Sequence, residues 1–105
     1  PDARALDSSP AWYCQAGAAV ALRWLAGLDR VAVQAHCIGL ADAFCAGLGM
    51  PPAASAIVAV RRPYAMARLT AAGVVASARA GAARLAFHLY NTDDDVDRAV
   101  DALIP

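Results

Sequence analysis

The segment 84–98 constrains the fold more than any other, because its hydrophobic period changes there from that of a strand to that of a helix. From residue 84 onward, large apolar side chains alternate with other types, and alternate side chains of an extended chain point to opposite faces. The pattern predicts a strand over 83–90 with one apolar face and one mixed face. The apolar face has Leu85, Phe87 and Leu89, and the mixed face has Arg84, Ala86, His88 and Tyr90.

A helix is predicted to begin directly after this strand. Asn91 is a common turn residue, Thr92 is a favourable N-cap, and Asp95 stands at the position of the acid in a capping box. The consecutive aspartates of the first turn lie at the positive end of the helix dipole, which tolerates negative charge. Apolar residues at helical spacing then form one stripe that can pack on a core: Val96, Ala99, Val100 and Leu103.

The first half of the chain is predicted to be helical. Residues 1–9 carry no hydrophobic period and are interpreted as an entering segment, and 10–48 contain two helices. For the first helix we expect Ser9 as the N-cap and Pro10 as the first helical residue, and for the second we expect Asp29 as the N-cap. The first helix has an apolar ridge of Trp12, Ala16, Val20, Trp24 and Leu28, and the second has a core face of Cys37, Leu40, Ala41, Phe44 and Leu48.

The second half, 55–105, is predicted to form a β-α-β-β-α unit. A short apolar run over 55–60 suits a strand, and a third helix is expected to start at Pro63. Residues 74–79 are the second predicted strand, and Gly81 turns it into the third as an antiparallel hairpin.

The resulting order of elements, α-α-β-α-β-β-α, favours an α+β two-layer sandwich. In this architecture a three-stranded, mostly antiparallel sheet is packed with helices, and the 105 residues suit a single domain, 1–105. Hydrophobic residues make up 60% of the chain and charged residues only 17%, against a usual charged share of about 25%. We therefore expect part of the surface to be covered by another domain or subunit.

The charge and cysteine content argue against several classes of function. Nine basic residues balance nine acidic ones, so no net charge attracts the chain to nucleic acid or to anionic membranes. The three cysteines form no C-x-x-C pair, so we predict neither a disulfide framework nor a metal site. No apolar segment is long enough to span a membrane, and 1–12 lack the pattern of a signal peptide. We expect a cytoplasmic protein without nucleic-acid or membrane partners.

The C-terminal residues resemble a known family of enzymes. An arginine at the start of a strand, then His-x-Tyr-Asn-Thr over 88–92, an acidic run and Val-Asp-Arg over 96–98 are similar to the C-terminal signature of the class V aminotransferases, which use pyridoxal phosphate (PLP). The family includes cysteine desulfurases, selenocysteine lyases and kynureninases. Looser similarity at 8–12, 48–52 and 55–58 extends the resemblance over nearly the whole chain. Among subgroups, it is most similar to the β-lyases of ergothioneine biosynthesis and the isopenicillin-epimerase-like enzymes.

This resemblance implies a fold, a reaction class and roles for individual residues. The chain would be the small C-terminal domain of a fold-type I PLP enzyme, a lyase or desulfurase that acts on a sulfur-containing amino acid. By position, Arg84 would bind the α-carboxylate of the substrate. His88 would either contact the substrate or stabilise the strand-to-helix corner, and Arg79 is a further candidate for an anion contact. The chain departs from the family at Ala86, where a serine is common, and no residue here is expected to be catalytic.

The absence of lysine limits what the chain can do alone. PLP enzymes hold their cofactor through a lysine amine, whereas the nine basic residues of this chain are all arginines. In the class V family, that lysine and the acid that pairs with the pyridine nitrogen belong to the large N-terminal domain. The resemblance therefore implies a fragment of a larger homodimeric enzyme, inactive by itself, whose missing N-terminal large domain carries PLP.

The residues alone leave a second interpretation open. The chain could be a stand-alone α+β module that binds a small ligand or assembles other subunits without catalysis. Arg84 would then simply face water, as charged residues mostly do. The chemistry of Arg84 favours the first interpretation, because its planar guanidinium can donate two parallel hydrogen bonds to a carboxylate, which suits an amino-acid substrate.

Overall fold

A computed structural model of the protein describes residues 10–104. Within this range, four helices and a three-stranded antiparallel sheet follow one another in the predicted order, which confirms the α+β class. The entering segment predicted over 1–9 lies outside the described residues. The helices are α1 (Trp12–Ala26), α2 (Arg30–Gly47), α3 (Ala65–Ala71) and α4 (Asp93–Leu103), and the strands are β1 (Ile57–Val60), β2 (Ser77–Arg79) and β3 (Ala82–Ala86).

The last strand in sequence is the central strand of the sheet. The strand order is β1-β3-β2, and β3 pairs antiparallel with both neighbours. Leu85 lies opposite Val58 of β1, while Arg84 lies between Ala59 of β1 and Ser77 of β2. Because successive side chains of a strand point to opposite faces, the leucine and the arginine belong to different faces of the sheet.

The hydrophobic core lies between one face of the sheet and the helices α2, α3 and α4. Phe44 of α2 is fully buried, and its ring centroid lies 5.6 Å from that of Phe87. All of the core-face residues predicted for α2 are buried, and the stripe predicted for α4 is confirmed, with Val100 partly buried. The other central core residues are Leu40, Ala41, Cys45, Val58, Val60, Leu69, Leu85, Val96, Ala99 and Leu103.

Two of the predicted helix starts are confirmed. The Asp29 carboxylate accepts hydrogen bonds from the amides of Val31 and Ala32, at 2.9 and 3.1 Å, and so caps α2. At the start of α4, Asp95 Oδ2 accepts from the amide of Thr92 at 3.2 Å, which is the contact expected of the acid in a capping box. Both helices therefore begin where the sequence signals place them.

The starts of the other two helices differ from the prediction. The first helical residue of α1 is Trp12 and its N-cap is Ala11, so Pro10 precedes the helix, while Ser9 lies outside the described residues. Pro63 also precedes its helix. Tyr64 adopts a left-handed conformation, with φ of 62°, and this places a turn between the proline and the first residue of α3.

The strands are shorter than predicted. The second strand was expected over 74–79 and forms only at its end, and the third was expected to reach residue 90 but ends at Ala86. A turn ends it: the amide of His88 donates to Asn91 Oδ1 at 2.9 Å, and the amide of Asn91 donates to the carbonyl of His88 at 2.9 Å. The side chain of Asn91 thus draws the chain out of the extended conformation, as short amide side chains commonly do.

The predicted hairpin between β2 and β3 is present, with a turn of two residues. Arg79 pairs with Ala82, and the turn residues Ala80 and Gly81 have φ of 49° and 74°. Positive φ at both central positions is the requirement of the tight turns that match the twist of antiparallel strands. The glycine meets that requirement at no steric cost, whereas the alanine is strained.

Helix α1 makes no contribution to this core. None of its residues is buried, although its sequence is largely apolar. The exposed fractions of Tyr13 and Trp24 are 95% and 57%. A helix that is apolar and uncovered is expected to pack against another surface. No helix within residues 10–104 is long and apolar enough to cross a membrane.

Candidate anion-binding site

The face of the sheet that points away from the helices carries the predicted substrate-binding arginine. Strand alternation and register place the same side of all three strands on this open face, with small side chains around the charged ones. Its residues are Ile57 and Ala59 on β1, Ser77 and Arg79 on β2, and Ala82, Arg84 and Ala86 on β3.

Arg84 occupies the middle of this open face. Its cross-strand neighbours are Ala59 and Ser77, whose side chains are too short to cover it, and it is half-buried. Among residues 10–104, no hydrogen bond or ion pair engages its guanidinium: the one ion pair there joins Asp95 and Arg98. The donors of Arg84 are therefore available to a ligand.

A second arginine lies on the diagonal from the first. Arg79 pairs with Ala82, two residues before Arg84 on the central strand, while Arg84 pairs with Ser77. Diagonal cross-strand neighbours are about 7–8 Å apart, within reach of long side chains. Arg79 is exposed and, like Arg84, has no side-chain partner in the described part of the chain. Ala82, which pairs with Arg79 on the same face, is itself buried.

Arg61 adds a third positive charge at the edge of this face. It follows Val60, which pairs with Ala83, so strand alternation places it on the open side. Its Nη1 donates to the carbonyl of Ala80 at 2.8 Å and thereby links the end of β1 to the hairpin turn. This contact holds the turn that positions Arg79 relative to the central strand.

Most other arginines of the described chain have structural partners, although exposed Arg30 has none. Arg62 Nη2 donates to the carbonyl of Leu48 at 2.7 Å, at the end of α2. Arg68 Nη1 donates to the carbonyls of Leu103 and Ile104 at 3.5 and 3.4 Å, at the end of α4. Such contacts satisfy carbonyls that a helix leaves free at its C-terminus. The guanidiniums of Arg79 and Arg84 have no comparable role.

Acidic residues are absent from the open face within residues 10–104. Every aspartate in that range lies in α2, in α4 or at the N-cap of α2, and the chain contains no glutamate. Within the described part of the chain, the acidic side chains therefore belong to the helical layer, and the three arginines near the hairpin form a positive surface on the opposite side. This separation favours the binding of an anion on the sheet.

The structure does not bring His88 together with Arg84. The sequence predicted one continuous strand face for the two residues, and that prediction is wrong because β3 ends at Ala86. His88 lies in the following turn, where its ring stacks on Tyr90 with centroids 4.6 Å apart. It lines a mostly apolar cavity of about 360 Å³ on the helical side, and the other lining residues are Leu25, Leu28, Arg30, Val33, Gln34, Cys37 and Leu89.

The corner after β3 is held by a hydrogen-bond network that includes His36 of α2. His36 of α2 donates through Nε2 to the carbonyl of Asn91 at 3.1 Å, across 55 positions of sequence. Asn91 Nδ2 in turn donates to Asp95 Oδ2 at 3.1 Å. The pKa of Asp95 is lowered below its usual value, most of all by this bond from Asn91 and to a smaller extent by the bond from the Thr92 amide. No sequence signal connects His36 with this corner.

A second cavity, of about 460 Å³, lies between β3, the loop before β2 and the first half of α4. It is lined in part by Val74, Leu85, Tyr90, Asp95 and Arg98. Asp95 and Arg98 in its wall form an ion pair, with Nη1 of Arg98 3.9 Å from Oδ1 of Asp95. Neither Arg84 nor His88 lines this cavity, although Ala86 of the open face does.

The residues of this chain do not fit PLP by themselves. The cofactor requires a lysine amine, and the chain has none. No group of histidine, cysteine or acidic side chains within 10–104 is arranged to hold a metal ion. Of the cysteines, Cys14 is exposed whereas Cys37 and Cys45 are buried, and burial, together with nearby Asp42, raises the pKa of the Cys45 thiol. The chemistry available on the open face is thus the binding of anions by arginine.

Comparisons with protein-family models, with curated proteins and with solved structures gave no match to this chain.

Proposed function

We propose that this chain is the small C-terminal domain of a PLP-dependent enzyme similar to the class V aminotransferases, in which Arg84 binds the α-carboxylate of an amino-acid substrate. The parent enzyme is a lyase or desulfurase that acts on a sulfur-containing amino acid in the cytoplasm. The missing large N-terminal domain contributes the lysine and PLP, and the parent is a homodimer. The fold-type I identity of the domain is part of the same proposal.

One observation carries the proposal: Arg84 lies on the central strand of an open sheet face and has no partner within residues 10–104. Arg84 is half-buried, and its planar guanidinium can donate two parallel hydrogen bonds to a carboxylate. The family signature assigns carboxylate binding to the arginine at this position of the sequence. The position in the signature and the local geometry therefore support the same role.

Helix α1 supports the presence of a large partner domain. Its aromatic and aliphatic side chains are uncovered, and none is buried against α2, α3, α4 or the sheet. Exposed apolar area on this scale is costly in water and is typical of a surface made to be covered. In the proposed parent, α1 packs against the large domain.

The turn after β3 has a supporting role in this proposal. The contacts of His88, Asn91 and Asp95 fix the path of the chain from the central strand into α4. We assign His88 to this corner, where its backbone and ring both have partners. It contacts the substrate only if the large domain brings the substrate to the helical side.

The first test is to capture the protein from its native source with an antibody against the chain. The proposal predicts a species several times heavier than the 10.8 kDa of these residues, with the absorbance of a PLP enzyme. In that enzyme, Arg84→Ala should raise KM for the amino acid by roughly 10- to 100-fold, the effect of losing a charged hydrogen bond, while PLP content stays unchanged.

Arg98→Ala is the matched control, because Arg98 is exposed and its one ion pair lies on α4. It should leave KM within about twofold, as surface ion pairs contribute little. A colourless species of 10.8 kDa would contradict the proposal, and so would an unchanged KM in the Arg84 variant.

A further inference from the structure

We propose that the open sheet face binds two acidic groups of one ligand, so that the substrate is an amino acid whose side chain ends in a second acidic group. Arg84 binds the α-carboxylate and Arg79 binds the side-chain acid. This inference rests on the proposed function for the role of Arg84, and it adds the class of side chain that the site accepts.

The geometry of the two arginines suits a ligand with two acidic groups. They lie on neighbouring strands at diagonal positions, with Cβ atoms about 7–8 Å apart or slightly less, and the residues opposite them are Ser77 and Ala82. Two long side chains that start this far apart can hold two acidic groups of one small molecule.

The positive charge of the open face also favours a ligand with two acidic groups. Arg61, Arg79 and Arg84 bring three positive charges to this face, and no acidic residue within 10–104 lies there to balance them. Like charges at these spacings repel, and a ligand with one acidic group would leave most of the charge unbalanced. A ligand with two acidic groups matches the surface better.

Arg79 is held in register with the central strand. Arg61 Nη1 donates to the Ala80 carbonyl at 2.8 Å and so fixes the hairpin that follows Arg79. The pairs of Arg79 with Ala82 and of Ser77 with Arg84 then set the spacing of the two backbone positions from which the arginine side chains start. An arginine that only solubilised the surface would need no such support.

The test uses L-glutamate and L-glutamine, which differ only in the second acidic group, and the purified chain in low-salt buffer. Binding is followed through the backbone amide NMR shifts of β2 and β3. We expect glutamate to bind at least about threefold more tightly than glutamine, the effect of one partly exposed ion pair. Arg79→Gln should remove this difference, and Arg84→Gln should weaken the binding of both amino acids. Arg23→Gln, on α1, removes the same charge and should change neither.

The outcomes separate the two proposals. Suppose that both amino acids bind equally, that this binding needs Arg84, and that Arg79→Gln has no effect. The proposal of a second acidic group is then disproved, and the carboxylate role of Arg84 stands. If Arg84→Gln leaves both affinities unchanged, the role of Arg84 is disproved as well. If neither amino acid shifts these amides, the inference of two acidic groups is overturned, and the KM of Arg84→Ala in the parent enzyme decides the role of Arg84. If a penta-aspartate peptide shifts the same amides and the free amino acids do not, an acidic protein segment replaces the small ligand and the inference is overturned.

Discussion

The two faces of the sheet differ in almost every physical property although they alternate along the same strands. On the covered face, Val58, Val60 and Leu85 are buried against the helices, whereas on the open face Arg79 and Ala59 are exposed and Arg84 is half-buried. Burial of apolar area on the first face stabilises the fold. The second face has little to bury, so its residues are free to serve binding.

The position of the binding arginine depends on its apolar neighbours. A shift of one residue in strand pairing would exchange the two faces of β3 and place Arg84 in the core. Burial of Leu85 and Phe87 prevents this shift. Stability and binding are therefore coupled through register, even though different side chains supply them.

The largest effect is expected from truncation on the covered side. Phe44→Ala removes a fully buried ring that contacts Phe87, and it should lower the free energy of unfolding by about 3–5 kcal/mol. The control on the open face is Ile57→Ala, whose side chain is 43% exposed and should cost about 1 kcal/mol or less. Urea unfolding measures both, and equal losses would contradict the division between the two faces.

A smaller effect is expected where α2 and α4 touch. A Cβ atom at Gly47 would lie 2.8 Å from Cγ2 and 3.0 Å from Cγ1 of Val100, so Gly47→Ala forces these helices apart. The variant should lose about 1–3 kcal/mol of stability. In a Val100→Ala background, the same change should be neutral or stabilise the helix by up to about 1 kcal/mol. A double-mutant cycle in urea measures this coupling, and additive losses would disprove the contact.

A stabilising change is expected in the hairpin that carries Arg79. Ala80 has φ of 49° next to Gly81, and Asn-Gly is a preferred pair for such turns. Ala80→Asn should raise the unfolding free energy by about 0.5–1 kcal/mol, because asparagine tolerates this conformation better than alanine. Ala72→Asn is the control, since Ala72 is exposed and its φ is −82°. An equal gain there would show that the backbone conformation is not the cause.

The sequence was sufficient for features that depend on local signals. The Asp29 cap, the corner acid Asp95 and the buried stripe of α2 follow from residue type and spacing, and the structure contains all three. The sequence was not sufficient to predict where the third strand ends. Apolar and polar residues still alternate beyond Ala86, but the turn at His88 and Asn91 ends the strand there.

The candidate site also has features that local sequence patterns predict and features that they do not. The alternation around Leu85 was enough to assign Arg84 to the polar side of the third strand. The placement of Arg79 and Arg61 beside it depends on cross-strand register and on a contact to Ala80, which no local pattern encodes. The bond between His36 and Asn91 joins residues far apart in the chain for the same reason.

The smallest effect concerns the exposed corner that follows β3. Its hydrogen bonds lower the pKa of Asp95 in the folded chain below the unfolded value. The folded state therefore gains stability from this carboxylate above the unfolded pKa, and it loses that gain as the pH falls through the folded pKa. In Asp95→Asn, the loss of stability on acidification below about pH 4, the usual range of aspartate, should be shallower than in the unsubstituted chain. Urea unfolding across this range measures it, with exposed Asp97→Asn as the control, and identical profiles would contradict the role of Asp95.

The most direct test of the division between the two faces is the urea unfolding and the L-glutamate titration of one variant, Arg84→Gln. With its guanidinium unpartnered within residues 10–104, we predict an unfolding free energy within about 0.5 kcal/mol of the unsubstituted chain and a loss of the glutamate-induced amide shifts on β3. A loss of stability comparable to that of Phe44→Ala, with glutamate binding retained, would show that Arg84 serves the fold and would contradict the account.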